Sequence, residues 1–177
     1  MNLRPALALS FVVLAGCATD GSPGPTAGAA PPAAATAAFR PADFAWSTTA
    51  GAGQIDGQLA YKAGGAAYNC TASGVILTPE TLWVRGRMQV LYNSASGAAL
   101  PADEVRRRTP PERTQDYSTF IKRAKCGPAG EFSFTGLPDG SWYVITVARP
   151  TAPATGPEMA LMRRVTVKGG KTVKVKL

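Results

Sequence analysis

The sequence predicts an all-β fold in a single domain, and three stretches carry that expectation. Glu131-Phe132-Ser133-Phe134-Thr135 alternates polar and apolar residues, which puts both Phe rings on one face of a strand. Residues 141–148 are apolar on both faces, the pattern of a central strand between two covering layers. Two more strands are expected near the C-terminus, at about 159–167 and 172–177.

The chain opens on Met1-Asn2-Leu3-Arg4, with one positive charge, followed by an apolar run over 5–14 and the small residues Ala15-Gly16 before Cys17. That order reads as a secretory signal. The apolar run falls far short of the roughly 20 residues a helix needs to cross a bilayer. Leu14-Ala15-Gly16-Cys17 resembles the lipobox of bacterial lipoproteins at every position. The resemblance implies cleavage before Cys17, a diacylglyceryl thioether on its sulfur and an acyl group on the new amine. Two or more such chains anchor a protein firmly, whereas one does not. The alternative is an ordinary secretory signal with a cysteine near its cut. Ala18 stands where an Asp often marks retention in the inner membrane. By the same resemblance, the destination is the outer membrane, on its periplasmic or surface face.

Residues 17–42 are expected to be the lipidated cysteine and a flexible linker. As far as about Ala38 the composition is almost all Ala, Gly, Pro, Ser and Thr, with Asp20 the only charge. Such a segment has too little apolar surface to offset its ordering entropy. About 20 residues of it would reach roughly 25 Å. Residues 43–177 then form one domain, long enough to bury a real core.

In an exported chain with Cys17 lipidated, the remaining pair Cys70 and Cys126 is most simply a disulfide. A bridge across that span is worth roughly 4 kcal/mol by loop entropy. Two free buried thiols are the alternative. A zinc site is not expected, because the chain has no histidine and two cysteines are too few ligands.

Within the domain, Gln54-Ile55-Asp56-Gly57-Gln58-Leu59-Ala60-Tyr61 alternates imperfectly, and Gly57 marks a bulge or a close approach. Gly74-Val75-Ile76-Leu77 suits a strand buried on both sides. Thr78-Pro79-Glu80 opens like a helix, with Thr78 as N-cap and Pro79 at the first helical position. Leu82, Val84, Met88, Val90 and Tyr92 also alternate as a strand would, but Val84, Met88 and Leu91 fit helical spacing, and the cap favours a short helix. Residues 93–115 are polar, hold Pro101, Pro110 and Pro111, and carry Arg106-Arg107-Arg108; they read as a long exposed excursion. Gly136-Leu137-Pro138-Asp139-Gly140 supplies turn chemistry before the central strand. A two-residue turn at Gly169-Gly170 would pair Val167 with Thr172 and mix the faces of the last two strands. Either a longer loop or no direct pairing is therefore expected.

Gly53-Gln54-Ile55-Asp56-Gly57, then Gly74 through Pro79, then the motif from Gly130 through Val144 (G-x-F-x-F-x-G-L-P-x-G-x-W-x-V) together resemble the carboxypeptidase regulatory-like domain. The resemblance runs over most of 53–177 and implies a transthyretin-like β-sandwich of about seven strands. It also implies a bridge between Cys70 and Cys126, as exported members have, and a non-catalytic accessory role.

The residues point away from catalysis as well. Histidine, the commonest general base, is absent, and no G-x-S-x-G elbow is present. Asp103, Glu104, Glu112 and Asp116 fall in the excursion, where solvated carboxylates are expected. No cofactor is implied. Loss of Arg4 with the signal takes 19 basic residues to 18 against 11 acidic ones, so the mature chain carries +7. Nucleic acid is a poor partner for an envelope protein. Lipopolysaccharide or another envelope polyanion is a better one, met by Arg106, Arg107, Arg108, Lys171, Lys174 and Lys176. Ordinary solvated charge, with lysines protecting an edge strand, is the bland reading. The expected function is a lipid-anchored, non-enzymatic binding or structural module, serving an envelope protein partner or binding a polyanion.

Overall fold

The computed structural model describes residues 37–110 and 117–177. The signal at 1–16, Cys17 and the linker through residue 36 lie outside the described residues, as do Glu112 and Asp116.

The expected all-β sandwich is present. Its centre is β8 (Gly140–Pro150), whose neighbours are β4 (Val75–Pro79) on one side and β9 (Met159–Val167) on the other. β6 (Lys122–Ala124) flanks β4, and β5 (Gly97–Pro101) flanks β9. Further along β8 the short β3 (Ala66–Asn69) pairs with its end, carrying β2 (Lys62–Ala63) outside it. These seven strands make the large sheet. A second, three-stranded sheet has β1 (Gly53–Gln58) between β7 (Glu131–Leu137) and β10 (Thr172–Lys176). The total is ten strands among the described residues, against the seven or so implied by the resemblance. The excess lies in the short β2–β3 pair and in β5.

Side-chain alternation decides the layers. Trp142, Val144 and Ala148 point from β8 into the core between the sheets, where they meet Ile55, Phe132, Phe134, Leu137 and Val175 of the small sheet. Tyr143 points the other way, into a second core beneath a helical layer. Strand β8 is thus buried on both faces, as its unbroken apolar run requires. Gly57 is a close approach: a Cβ there would fall inside the Phe132 ring.

The C-terminal strands do not pair with one another. Gly169 and Gly170 both have φ of 65°, a turn geometry suited to glycine. After it the chain crosses to the small sheet, where β10 runs parallel to β1. That register sets Ile55 beside Val173 and Gly57 beside Val175, so the valines face inward and Lys174 and Lys176 face out.

The helical layer departs from expectation in three ways. Helix α1 (Leu82–Tyr92) exists, but its N-cap is Thr81, whose Oγ1 accepts from the Val84 amide at 3.1 Å. Thr78 and Pro79 stay in β4, opposite Tyr143 and Trp142, so they cannot start the helix. The helical spacing of Val84, Met88 and Leu91 is real, since all three are buried. Second, the expected excursion at 93–115 is folded as far as it is described. Strand β5 pairs Ala98 with Met162 and Leu100 with Ala160, and α2 (Ala102–Arg108) sets Ala102 and Val105 against the second core. Small apolar residues among the polar ones supply that buried side. Third, packing begins by Phe39, inside the stretch assigned to the linker. Phe39 meets Phe44 and Trp83 at 5.3 and 5.1 Å between ring centroids. A 3₁₀ helix (Pro41–Thr48) then places Phe44 in the second core and Trp46 against Trp142, across the end of the sheet.

Cys70, just after β3, and Cys126, just after β6, form a buried disulfide with their Cα atoms 5.6 Å apart. It ties the β3–β4 turn to the segment leading into β7.

Candidate binding groove

The small sheet is narrower than the large one. Strand β10 packs over β9, and no further strand lies outside it, while the large sheet continues outward into β5. The register puts Gly97 opposite Arg163 and Ala99 opposite Leu161, on the face that carries the sandwich core. With no strand of the small sheet above them, these residues floor an open hollow of about 250 Å³. Tyr61 and Leu177 form its far wall and Arg163 its near one. The Tyr61 ring is braced edge-on by Tyr68, with centroids 5.1 Å apart. The floor stays low because Gly97 has no side chain: a Cβ there would lie 4.0 Å from the Arg163 guanidinium, which passes across it.

Arg163 also belongs to a second hollow, about 350 Å³, between β9 and β10. Residues 163–166 of β9 and 173–176 of β10 line it, among them Arg164 and the outward-facing Lys174 and Lys176. The two hollows share Arg163 and are together called the groove, and neither is lined by an acidic residue. Asp56 lies across from Lys174 in the sheet register. Hydrogen bonds from Gln54 and Ser133, at 2.6 and 2.8 Å, and the charge of Lys174 hold its carboxyl below the usual carboxylate range.

The basic residues singled out by sequence do not come together. Arg106, Arg107 and Arg108 sit on α2, in the helical layer, whereas Lys174 and Lys176 sit on the small sheet, with the large sheet between. Each arginine of the triplet is also paired. Arg106 reaches Glu158 at 2.7 Å, Arg107 reaches Asp103 at 2.5 Å, and Arg108 pairs with Glu104 and donates to the Leu91 carbonyl at 3.1 Å. Bonds from Arg106 and Arg149 hold the Glu158 carboxyl low, and the Arg107 bond does the same to Asp103. Lys171 is exposed at the β9–β10 turn. That turn is fixed by Asp139, which accepts from the amides of Gly169 and Gly170 at 2.6 and 3.2 Å and is thereby held low.

Arg164, beside Arg163 in sequence, points to the opposite face and is fully engaged. Its Nε lies 2.7 Å from Glu80, and its Nη2 lies 2.9 Å from Ser141. The Tyr143 hydroxyl contacts the same Glu80 carboxylate at 3.2 Å and the Ala95 carbonyl at 3.0 Å. Burial first, then the Glu80 charge, pushes the Tyr143 hydroxyl up to about 12. This network locks the start of α1 to the sheet. Among the described residues no cluster of three or more His, Cys, Asp and Glu side chains could hold a metal, and no helix is long and apolar enough to cross a membrane.

Sequence reasoning passed over Tyr61, Gly97, Ala99 and Arg163. One signal was available: Arg163-Arg164 interrupts an otherwise apolar strand, and only one of two adjacent residues can face the same side.

No family model and no curated protein matches this chain. Among solved structures it is similar to a candidate carbohydrate-binding protein from Pseudomonas aeruginosa. That match has 25% identity and a TM-score of 0.56, and covers 78% of this chain and 96% of the other. A minor pilin of the Gram-positive pathogen Streptococcus agalactiae matches at 16% identity over 75% of this chain and 44% of its own, with a TM-score of 0.32, too low to carry an argument. The first likeness extends over nearly the whole of its counterpart.

Proposed function

We propose that this chain is a lipid-anchored, non-catalytic module of the bacterial envelope that binds carbohydrate in the groove between β5, β9 and β10. The observation that carries the reading is the first hollow, with the Tyr61 ring standing beside the low floor of Gly97 and Ala99. Binding sites of this kind combine a concave, mostly apolar surface with a few polar groups that fix orientation. A sugar offers C–H faces to an aromatic ring and hydroxyls to its polar neighbours, and tyrosine is suited to both. Fold alone does not assign a function. The nearly full-length likeness to a candidate carbohydrate-binding protein nevertheless points to the same class of ligand. The engagement of Asp103 and Glu104 by arginines supports a non-catalytic role, since neither carboxylate is left facing the groove. The lipobox at Cys17 and the resemblance to carboxypeptidase regulatory-like domains add placement and an accessory character.

Two measurements test this. Calorimetric titration of the full chain with oligosaccharides should show binding, and Tyr61→Ala should weaken it about fivefold, as loss of roughly 1 kcal/mol of ring contact implies. Unchanged affinity in that variant, or no binding to any sugar tried, would remove the carbohydrate reading. Separately, Cys17→Ser should move the protein out of the membrane fraction; unaltered fractionation would contradict the anchor.

A further inference from the structure

The groove's charge goes beyond what a neutral sugar needs. Each of the seven ion pairs among the described residues uses an arginine, and none uses Arg163 or a lysine. The pairing is spatially sorted. Asp103, Glu104 and Glu158 consume the arginines around α2, and Glu80 consumes Arg85 and Arg164 at the start of α1. Of the cations among the described residues that form no ion pair, Arg163, Lys174 and Lys176 line the groove, where no acidic residue does.

We propose that the saccharide bound in this groove is acidic, carrying carboxylate or phosphate groups that Arg163 grips and that Lys174 and Lys176 attract. The proposal rests on the carbohydrate reading above and specifies its ligand. Arg163 occupies the junction of the two hollows, so an acid group there can be held while the sugar ring lies against Tyr61. Its guanidinium offers a planar, two-pronged donor set that matches carboxylate and phosphate oxygens, whereas lysine acts as a point charge. Lys174 is tempered by Asp56, whereas Lys176 faces no such partner in the sheet register. Lys176 and Arg163 therefore carry the larger part. The α2 triplet, paired with Glu158, Asp103 and Glu104 on the other side of the large sheet, is not part of the site.

The test uses the full chain in detergent, titrated with an oligogalacturonate, with the uncharged oligogalactoside of the same length, with a sugar phosphate and with inorganic phosphate. The acidic sugars should bind about tenfold or more tighter than the neutral one at low ionic strength, and the gap should narrow as salt is raised. Arg163→Ala should abolish the preference, Arg163→Lys should restore it only in part, and Lys174→Ala with Lys176→Ala should reduce it. Arg107→Ala, on α2, should leave it intact. The oligogalacturonate and sugar-phosphate arms separate carboxylate from phosphate recognition. Equal binding of acidic and neutral sugars, unchanged in Arg163→Ala, would overturn this proposal and leave the carbohydrate reading standing. Failure of every sugar would remove both. Inorganic phosphate binding as tightly as the acidic sugars would show a simple anion site and overturn the saccharide assignment.

Discussion

At the scale of single residues, the arguments turn on what each side chain is denied. Tyr143 is denied water, and burial together with the Glu80 carboxylate outweighs the opposing charges of Arg164 and Arg85, so its hydroxyl is pushed from 10.0 up to about 12. The folded form therefore keeps the proton that the unfolded chain gives up first. The stabilising contribution is complete below pH 10 and is lost as the pH rises towards 12. Melting curves across that window should fall less steeply for Tyr143→Phe than for the parent, and identical slopes would contradict the assignment. Gly57 is denied a side chain by the Phe132 ring, and Gly57→Val should destabilise the fold by about 1–3 kcal/mol through overpacking, read by chemical denaturation. The sequence marked Gly57 as a bulge or a close approach, because glycine inside an alternating strand has few other uses. Arg163 could not be singled out in the same way. Its role depends on which residue faces Gly97 across β5 and β9, and that register is set by distant pairing.

At the scale of elements, legibility followed apolar content. Strands β7 and β8 announced themselves through clean alternation and an unbroken apolar run, and both lie where that pattern requires. Strand β5 was hidden, since Gly97-Ala98-Ala99-Leu100-Pro101 has small side chains and a terminal proline that weaken any strand signal. The start of α1 was misplaced for a local reason. Thr78-Pro79 has the chemistry of a helix start, but pairing with β8 holds it extended, and Thr81 three residues later caps instead. The cap has a measurable weight: Thr81→Ala should cost about 1 kcal/mol of stability, whereas Thr78→Ala would not act through the helix at all. A denaturation midpoint unchanged by Thr81→Ala would argue against the capping role.

At the scale of the whole molecule, the small sheet and a helical layer pack on opposite faces of the large sheet around β8, and the disulfide staples the β3–β4 turn to the approach to β7. The cysteines bridge residues 56 apart in sequence, and opening that loop should remove roughly 4 kcal/mol. That is a large part of the stability of an ordinary domain, about 5–15 kcal/mol. Reduction should therefore shift the denaturation midpoint strongly, and a reduced protein as stable as the oxidised one would contradict the staple. The bridge was legible from cysteine arithmetic, whereas the groove was not, because it arises from a difference in width between two sheets. The distance between the α2 arginines and the cations along the groove is likewise a property of the assembled layers. Sequence proximity made Arg106-Arg107-Arg108 look like the prominent basic site; in the fold each of the three is paired, Arg107 and Arg108 within α2 and Arg106 with Glu158.

The central claim is that the groove containing Arg163 holds a saccharide. Amide chemical-shift mapping of the full chain in detergent, during titration with an acidic oligosaccharide, tests it most directly. The account predicts shifts centred on Tyr61, Gly97, Ala99 and Arg163, extending to Lys174 and Lys176, with the exposed face of α1 unmoved. Shifts centred instead on Arg106, Arg107 and Arg108, or no shifts at saturating sugar, would contradict it.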